Sequence, residues 1–287
     1  MTTPDVKVAE FKQRVEKEWA GDETAAAWQK HYPAMKAQLA GVTQALVDAA
    51  NLEPGLSVLD LASGTGEPAI SLARRVAPGG KVMATDLSEG MLRALRANAD
   101  AEGLRNIESQ VCDAHTLPFP DASFDRVTSR FGVMFFGEVD RALAEVRRVL
   151  KPGGLAAFLV WGAPSPGSYF GAVAMPFVKR LAVKPDPDGP SPMRFAEPGK
   201  LARLVEAAGF TGVTERALTL AAPYQGSPEE MLASMMEIAA PFRNAAATLS
   251  EADRHAAEQE CYDTLRAHYD GKITSVTAPV IIVTGVA

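Results

Sequence analysis

Apolar positions along the chain change their period twice. In the first 50 residues they recur at helical spacing. Val8, Phe11, Val15 and Trp19 form one such stretch, and Met35, Leu39, Val42, Leu46 and Val47 another, separated by Gly21-Asp22. Glu53-Pro54-Gly55 then marks a turn. From Leu56 to about Val160 short apolar runs without polar alternation take over. Such runs suit strands buried on both faces of a parallel sheet. They fall at Ser57–Ala62, Lys81–Asp86, Ile107–Cys112, Phe124–Arg130 and Leu155–Trp161. Between them the pattern predicts helices at about Pro68–Val76, from an N-cap at Ser88 to about Ala101, and at Glu138–Leu150, where Lys151-Pro152-Gly153-Gly154 stops the helix. This strand–helix rhythm means βαβ units in a doubly wound α/β sheet.

Beyond Trp161 the rhythm is lost. Residues 162–197 are rich in Pro, Gly, Met and aromatic residues, which fits a functional lid or short helices. A helix at Pro198–Ala208, a strand at Val213–Leu220, helices at Ser227–Asn244 and Glu251–Tyr269, and a β-rich Ile273–Val286 complete the reading. We expect one domain over 1–287, with N-terminal cap helices (1–50), a ligand-binding core (51–161), and an insertion, cap helices and final strands (162–287).

Composition narrows the class. The 287 residues are 47% hydrophobic and 22% charged, an ordinary globular balance that excludes wholesale disorder. A net charge of -6 argues against a nucleic-acid partner, which needs a basic face. Two cysteines are too few for a disulfide scaffold or a cysteine-rich zinc site, and the spacing of His255 and His268 suggests no metal pair. No apolar run approaches a membrane span, and the N-terminus lacks the apolar core of a signal peptide. These features lead us to expect a soluble, cytoplasmic protein. They leave its oligomeric state open.

The chemistry concentrates where strands end. Gly64-x-Gly66-x-x-Ala69 follows the first strand and opens a helix, so backbone N–H groups there can approach a ligand closely. Asp86 ends the second strand, 20 positions after Gly66, where an acid can accept both hydroxyls of a ribose. Asp113, after the third strand, can accept from an exocyclic amine of adenine. Each has a plainer reading: a tight turn, a solvated strand-end acid and a turn cap. The residues alone allow either a nicotinamide or a sulfonium cofactor.

Four motifs in order, VLDLASGTGEPA, VMATDLSEGML, CDAHTLPFPDASFDRV and LKPGG, resemble class I S-adenosylmethionine (SAM)-dependent methyltransferases. Among these the chain is similar to the ubiquinone/menaquinone-biosynthesis-type (UbiE-like) branch, strongly over about 56–161. The resemblance implies a seven-stranded, mostly parallel Rossmann-like sheet with the last strand antiparallel. It implies that Asp60, Ala62, Gly64 and Gly66 face the methionine part of SAM and that Asp86 binds the ribose. It also implies that Leu87 and Met91 pack on the adenine, that Asp113 and Ala114 read its edge, and that Arg130 lies near the methionine or the substrate mouth. The family pattern has glycine where Ala62 stands, so this chain adds a methyl group there.

The expected reaction is methyl transfer to a hydroxyl, carbon or amine of a small apolar or aromatic molecule. An NAD-dependent oxidoreductase and a SAM-binding regulatory protein without turnover are the alternatives. Tyr169, Phe170, Met175, Met231, Met235 and Phe242 are candidates for the acceptor's surroundings, or for ordinary core. Trp28, His31 and Tyr32 form a polar-tipped cluster; resemblance to relatives whose N-terminal helices close over SAM implies that it reaches the site, and the alternative is that Trp28 and Tyr32 are buried staples. His31 is the candidate general base, because a neutral imidazole can take a proton near pH 7; a surface histidine is its plainer reading.

Overall fold

A computed structural model describes residues 19, 21–183 and 186–287. The predicted first helix, with Val8, Phe11 and Val15, lies outside the described residues. The chain then runs α1 (Asp22–Gln38), α2 (Ala40–Ala49), β1 (Ser57–Leu61), α3 (Ala69–Val76), β2 (Lys81–Asp86), α4 (Glu89–Ala101), β3 (Ile107–Val111) and β4 (Phe124–Arg130). After a single 3-10 turn at Val133–Phe135 come α5 (Val139–Val149), β5 (Leu150–Trp161), α6 (Tyr169–Val173), α7 (Met175–Val178) and α8 (Lys200–Ala207). The last elements are β6 (Thr211–Gln225), α9 (Pro228–Ile238), α10 (Ala240–Ala246), α11 (Glu251–Arg266) and β7 (Ile273–Val286).

The seven strands form one sheet in the order β3-β2-β1-β4-β5-β7-β6. β1 to β5 are parallel, and β7 runs antiparallel to both of its neighbours. The expected α/β, doubly wound, mostly parallel sheet is what the chain forms. Val58, Leu59, Val82, Val127, Phe158 and Leu159 are fully buried, because helices cover both faces of the central strands.

Four predicted boundaries moved. Met35 to Val47 is two helices, broken at Leu39, whose backbone leaves helical geometry. The break redirects α2 onto β6, where Gly41 comes close to the Ala221 carbonyl. Ser227–Asn244 is also two helices: the chain opens at Ala239, and Pro241 starts α10. The Lys151–Gly154 turn belongs to β5 because Leu150 already pairs with Phe124, with a register shift before Arg126. β6 is longer than predicted at both ends.

That length matters. β5 pairs with β7 only as far as Trp161↔Val280, whereas β6 and β7 continue together to Gln225↔Ile273. The extra ribbon rises past the carboxyl edge of the parallel strands. α1 and α2 pack on it, and Gln38 Nε2 donates to the Ala222 carbonyl at 3.3 Å. Ligands of open α/β sheets bind beyond this edge, so the ribbon forms one wall of the expected site.

Candidate active site

The site starts from the end of β1. Asp60 is fully buried, and its Oδ1 accepts from Thr128 Oγ1 of β4 at 2.6 Å. Burial raises its carboxyl to about 7, with hydrogen bonds from Thr128 and Ser63 and the nearby Arg130 acting in the opposite direction. The turn that follows is built on positive φ angles at Ala62 (55°), Gly64 (54°) and Gly66 (135°). A side chain at Gly66 would meet Ile70, whereas the space beside Gly64 is open. Ala62 is an L-residue in a conformation that glycine prefers. Its methyl group lies against Gly132, where an added Cβ would come within 2.6 Å of it. The departure from the family pattern is therefore packed against a glycine of the neighbouring strand end.

Asp86, at the end of β2, holds this turn in place. Its Oδ2 accepts from Gly64 N–H at 2.9 Å and its Oδ1 from Ser88 N–H at 2.9 Å. Burial raises its pKa, and those two donors pull against the rise. Ser88 caps α4 by accepting from Met91 N–H, as expected. Leu87 is 36% exposed beside this corner, while Met91 is buried. Asp113 lies past the end of β3 with Ala114 next to it. Its Oδ1 accepts from His115 N–H at 2.9 Å and also meets His115 Nδ1. Asp86, Leu87 and Asp113 thus share the carboxyl edge of the adjacent strands β2 and β3.

Arg130 ends β4. It donates from Nη1 to Thr43 Oγ1 of α2 and from Nη2 to the Glu67 carbonyl at 2.9 Å. Burial lowers its pKa, and Glu67, Asp60 and Tyr32 oppose that shift. Its Nε is buried without a hydrogen-bond partner, as are Asp60 Oδ2 and the Tyr32 hydroxyl. Tyr32 comes from α1, and its hydroxyl is 3.6 Å from the point where a Cβ on Gly66 would stand. Burial pushes this phenol up. An unsatisfied buried polar atom costs about 1–3 kcal/mol, and three such atoms meet around one glycine turn. Two are donors and one is an acid, a set that suits the carboxylate and ammonium ends of an amino acid.

The three N-terminal candidates separate. Tyr32 reaches the turn. Trp28 Nε1 donates to the Ile238 carbonyl of α9 at 2.9 Å. His31 Nε2 lies 2.8 Å from Glu237 Oε2, beside Lys30 on the same carboxylate. Sequence reasoning placed Tyr32 only in a cluster, and it missed Glu67 and Asn98. Glu67 is buried, accepts from Ser71 Oγ at 2.6 Å and lies 3.5 Å from Lys36. Asn98 Nδ2 donates to the Thr65 carbonyl at 2.8 Å, and its amide exchanges hydrogen bonds with Gln29 of α1. These links fasten the covering helix to the turn.

On the far side of Arg130, Phe131 has a φ of 63° and stacks on Trp161, centroids 4.1 Å apart and planes 6° from parallel. Phe170 meets Trp161 edge-on at 4.9 Å. The Tyr169 hydroxyl donates to Met235 Sδ at 3.1 Å. Met231, Met235 and Phe177 are buried core, and Phe242 packs edge-on to Phe177. No helix among the described residues is long and apolar enough to cross a membrane.

Comparison with known proteins identifies the family and the fold. A family described as a methyltransferase domain matches residues 58–154. The ubiquinone/menaquinone biosynthesis C-methyltransferase UbiE of Cupriavidus metallidurans is 37% identical over 175 residues, which cover 57% of this chain and 71% of that protein. The protein of the same name from Bordetella avium is 51% identical over 105 residues, 37% of this chain and 41% of the relative. The chain thus spans about two fifths of the length of that relative. Among solved structures, a phosphoethanolamine N-methyltransferase 2 of Haemonchus contortus, in complex with phosphomonomethylethanolamine and S-adenosylhomocysteine, superposes with a TM-score of 0.58. It is 18% identical, with 96% of this chain and 59% of that one covered, and so shares the fold.

Proposed function

The chain belongs to the UbiE-like class I SAM-dependent methyltransferases, and from that premise we propose that it methylates a hydroxyl, carbon or amine of a small apolar or aromatic molecule. The observation that carries the cofactor assignment is the trio of buried, unpaired polar atoms on Tyr32, Asp60 and Arg130 around the Gly64–Gly66 turn. Asp60 Oδ2 suits the ammonium of a methionine moiety; Arg130 Nε and the Tyr32 hydroxyl suit its carboxylate. Ala62, Gly64 and Gly66 bring backbone close to that moiety. Asp86 is assigned to the ribose hydroxyls, Leu87 and Met91 to the adenine faces, and Asp113 with Ala114 to its edge. SAM, when bound, supplies a methyl group on an electrophilic sulfonium, so the protein's task is mainly alignment.

The chain's own residues supply that alignment and exclude water. α1 lies over the turn, bonded to it through Gln29, Asn98 and Lys36. Phe131 and Phe170, both partly buried and packed on Trp161, bring aromatic rings to the region beside Arg130, which supports a planar acceptor. The curated relatives are named C-methyltransferases, which favours a carbon nucleophile. The matched family region ends at residue 154, and we assign the choice of acceptor to the segments outside it. We keep His31 as the candidate proton acceptor. Glu237 holds its Nε2, which leaves Nδ1 for the task. A His31→Ala variant should lose about 100-fold in kcat with cofactor affinity unchanged; a kcat within threefold of the parent removes the assignment. Neither an oxidoreductase nor a regulatory binder gains support from the comparisons. The same proposal places the protein in the cytoplasm, in keeping with its two free thiols.

Isothermal titration with SAM, S-adenosylhomocysteine and NADH tests the reading. Binding of the first two is expected. Absence of both, with tight NADH binding, would sink it.

A further inference from the structure

We propose that His115 is a positioning residue for adenine recognition: it fixes the carboxylate of Asp113 in the orientation that reads the exocyclic amine. The proposal rests on the SAM reading given above. His115 stands two residues after Asp113, and its side chain is 7% exposed where that of Asp113 is 37% exposed. The buried ring therefore stands behind a partly exposed carboxylate.

Both ring nitrogens are committed. Nε2 lies 3.1 Å from the backbone N–H of Glu138, a group that can only donate. Nε2 must therefore be the lone-pair nitrogen, and the proton of the neutral ring sits on Nδ1. Nδ1–H then donates to Asp113 Oδ1, which also accepts the His115 backbone N–H. Two donors on one oxygen fix the carboxyl rotamer. The Glu138 contact fixes the ring in turn and ties the arrangement to the start of α5. Phe136 packs edge-on against the imidazole, with centroids 5.9 Å apart. The loop is held again at Leu117, whose N–H donates to Glu145 Oε2 of α5 at 2.8 Å. With both nitrogens occupied, His115 cannot take a proton from an acceptor, so its contribution is to geometry. Nothing in the glycine turn depends on it, and its influence should be confined to one end of the cofactor.

That confinement makes the role measurable. The probes are S-adenosylhomocysteine and its analogue with hydrogen in place of the adenine amine, titrated calorimetrically into the full chain. One hydrogen bond to a carboxylate corresponds to a preference of about 10- to 100-fold for the amine-bearing ligand in the parent. His115→Phe should reduce that preference by about tenfold while binding the amine-free analogue within twofold of the parent. His115→Asn, whose amide N–H stands where Nδ1–H does, should return the preference to within threefold. Equal weakening of both ligands in His115→Phe would show a merely structural role and overturn the proposal. So would an unchanged preference in His115→Phe, a failure of His115→Asn to restore it, or a parent that binds both ligands equally. A parent that binds neither ligand overturns the SAM reading itself, and this inference with it.

Discussion

The two sides of the sheet's carboxyl edge are built on opposite principles. Around the turn after β1, the buried polar atoms of Tyr32, Asp60 and Arg130 are left without partners. On the β5–β7 side, the same edge carries stacked rings and methionines, and even the Tyr169 hydroxyl finds a partner in Met235. Unpaired polar atoms cost stability, and they are tolerated where a ligand's own polar groups meet them. Packed apolar surface carries no such cost and can be reshaped without unfolding the sheet. On the proposed reading, the polar side holds the cofactor and the apolar side selects the acceptor by shape.

The largest expected effect breaks the polar side alone. Asp86→Ala removes the acceptor proposed for two ribose hydroxyls and releases Gly64 N–H and Ser88 N–H. Affinity for S-adenosylhomocysteine should fall about 100-fold or more, since hydrogen bonds to a charged group are worth about 1.5–3 kcal/mol each. The Phe131–Trp161 stack should be untouched, so the near-ultraviolet circular dichroism of its rings should keep the parent's shape. Unchanged affinity in calorimetry would reject the ribose role. A lost aromatic signal would show that the two sides are not independent.

A smaller effect comes from Asp60, whose carboxyl burial raises to about 7. In the ligand-free fold this acid holds a proton that the unfolded chain releases near pH 4. Its contribution to stability is therefore best at low pH and is lost progressively as pH rises from about 4 to about 7. A cationic ammonium beside Oδ2 favours the ionised form, so ligand binding should expel the proton. Affinity for S-adenosylhomocysteine should then rise about tenfold between about pH 6 and about pH 8, the change in ionised fraction for a group at about 7. Titrations in buffers of different ionisation enthalpy should show proton release near pH 6, and Asp60→Asn should abolish it. A flat profile would remove Asp60 from the methionine end and sharpen the case for Arg130 and Tyr32.

How much of this was legible in the sequence follows the same division. Gly64, Gly66, Asp86 and Ser88 were readable because each works within a few residues of its own strand end, and local signals mark such places. Tyr32 was not, because its arrival at Gly66 depends on α1 crossing onto α4, a contact made through Gln29 and Asn98 some 69 positions apart. The Leu39 break was hidden for a related reason: the helical period carries through it, and the turn is imposed by packing of α2 on β6. At Ala239 a signal was present in Pro241, yet the apolar spacing to either side outweighed it. No local signal marks His115 beyond its place two residues after Asp113. Only the structure shows that it is buried and which atoms it joins.

The smallest effect tests whether the polar side tolerates change where the family pattern has glycine. Ala62 sits at φ 55°, a conformation that costs an L-residue about 1–2 kcal/mol. Glycine there would recover that cost but give back about 0.4–1 kcal/mol through the freer unfolded chain. Ala62→Gly should therefore raise unfolding stability by about 0.5 kcal/mol in denaturant titration. Because the methyl group faces Gly132, cofactor affinity should stay within threefold of the parent. Gly132→Ala, by contrast, would set a Cβ 2.6 Å from both the Ala62 methyl and Ser129 Oγ and should destabilise the fold. Combining it with Ala62→Gly should recover part of that loss, since one of the two collisions disappears. Strict additivity of the two changes would mean that Ala62 and Gly132 are not a fitted pair, and that the methyl group stands toward the cofactor after all.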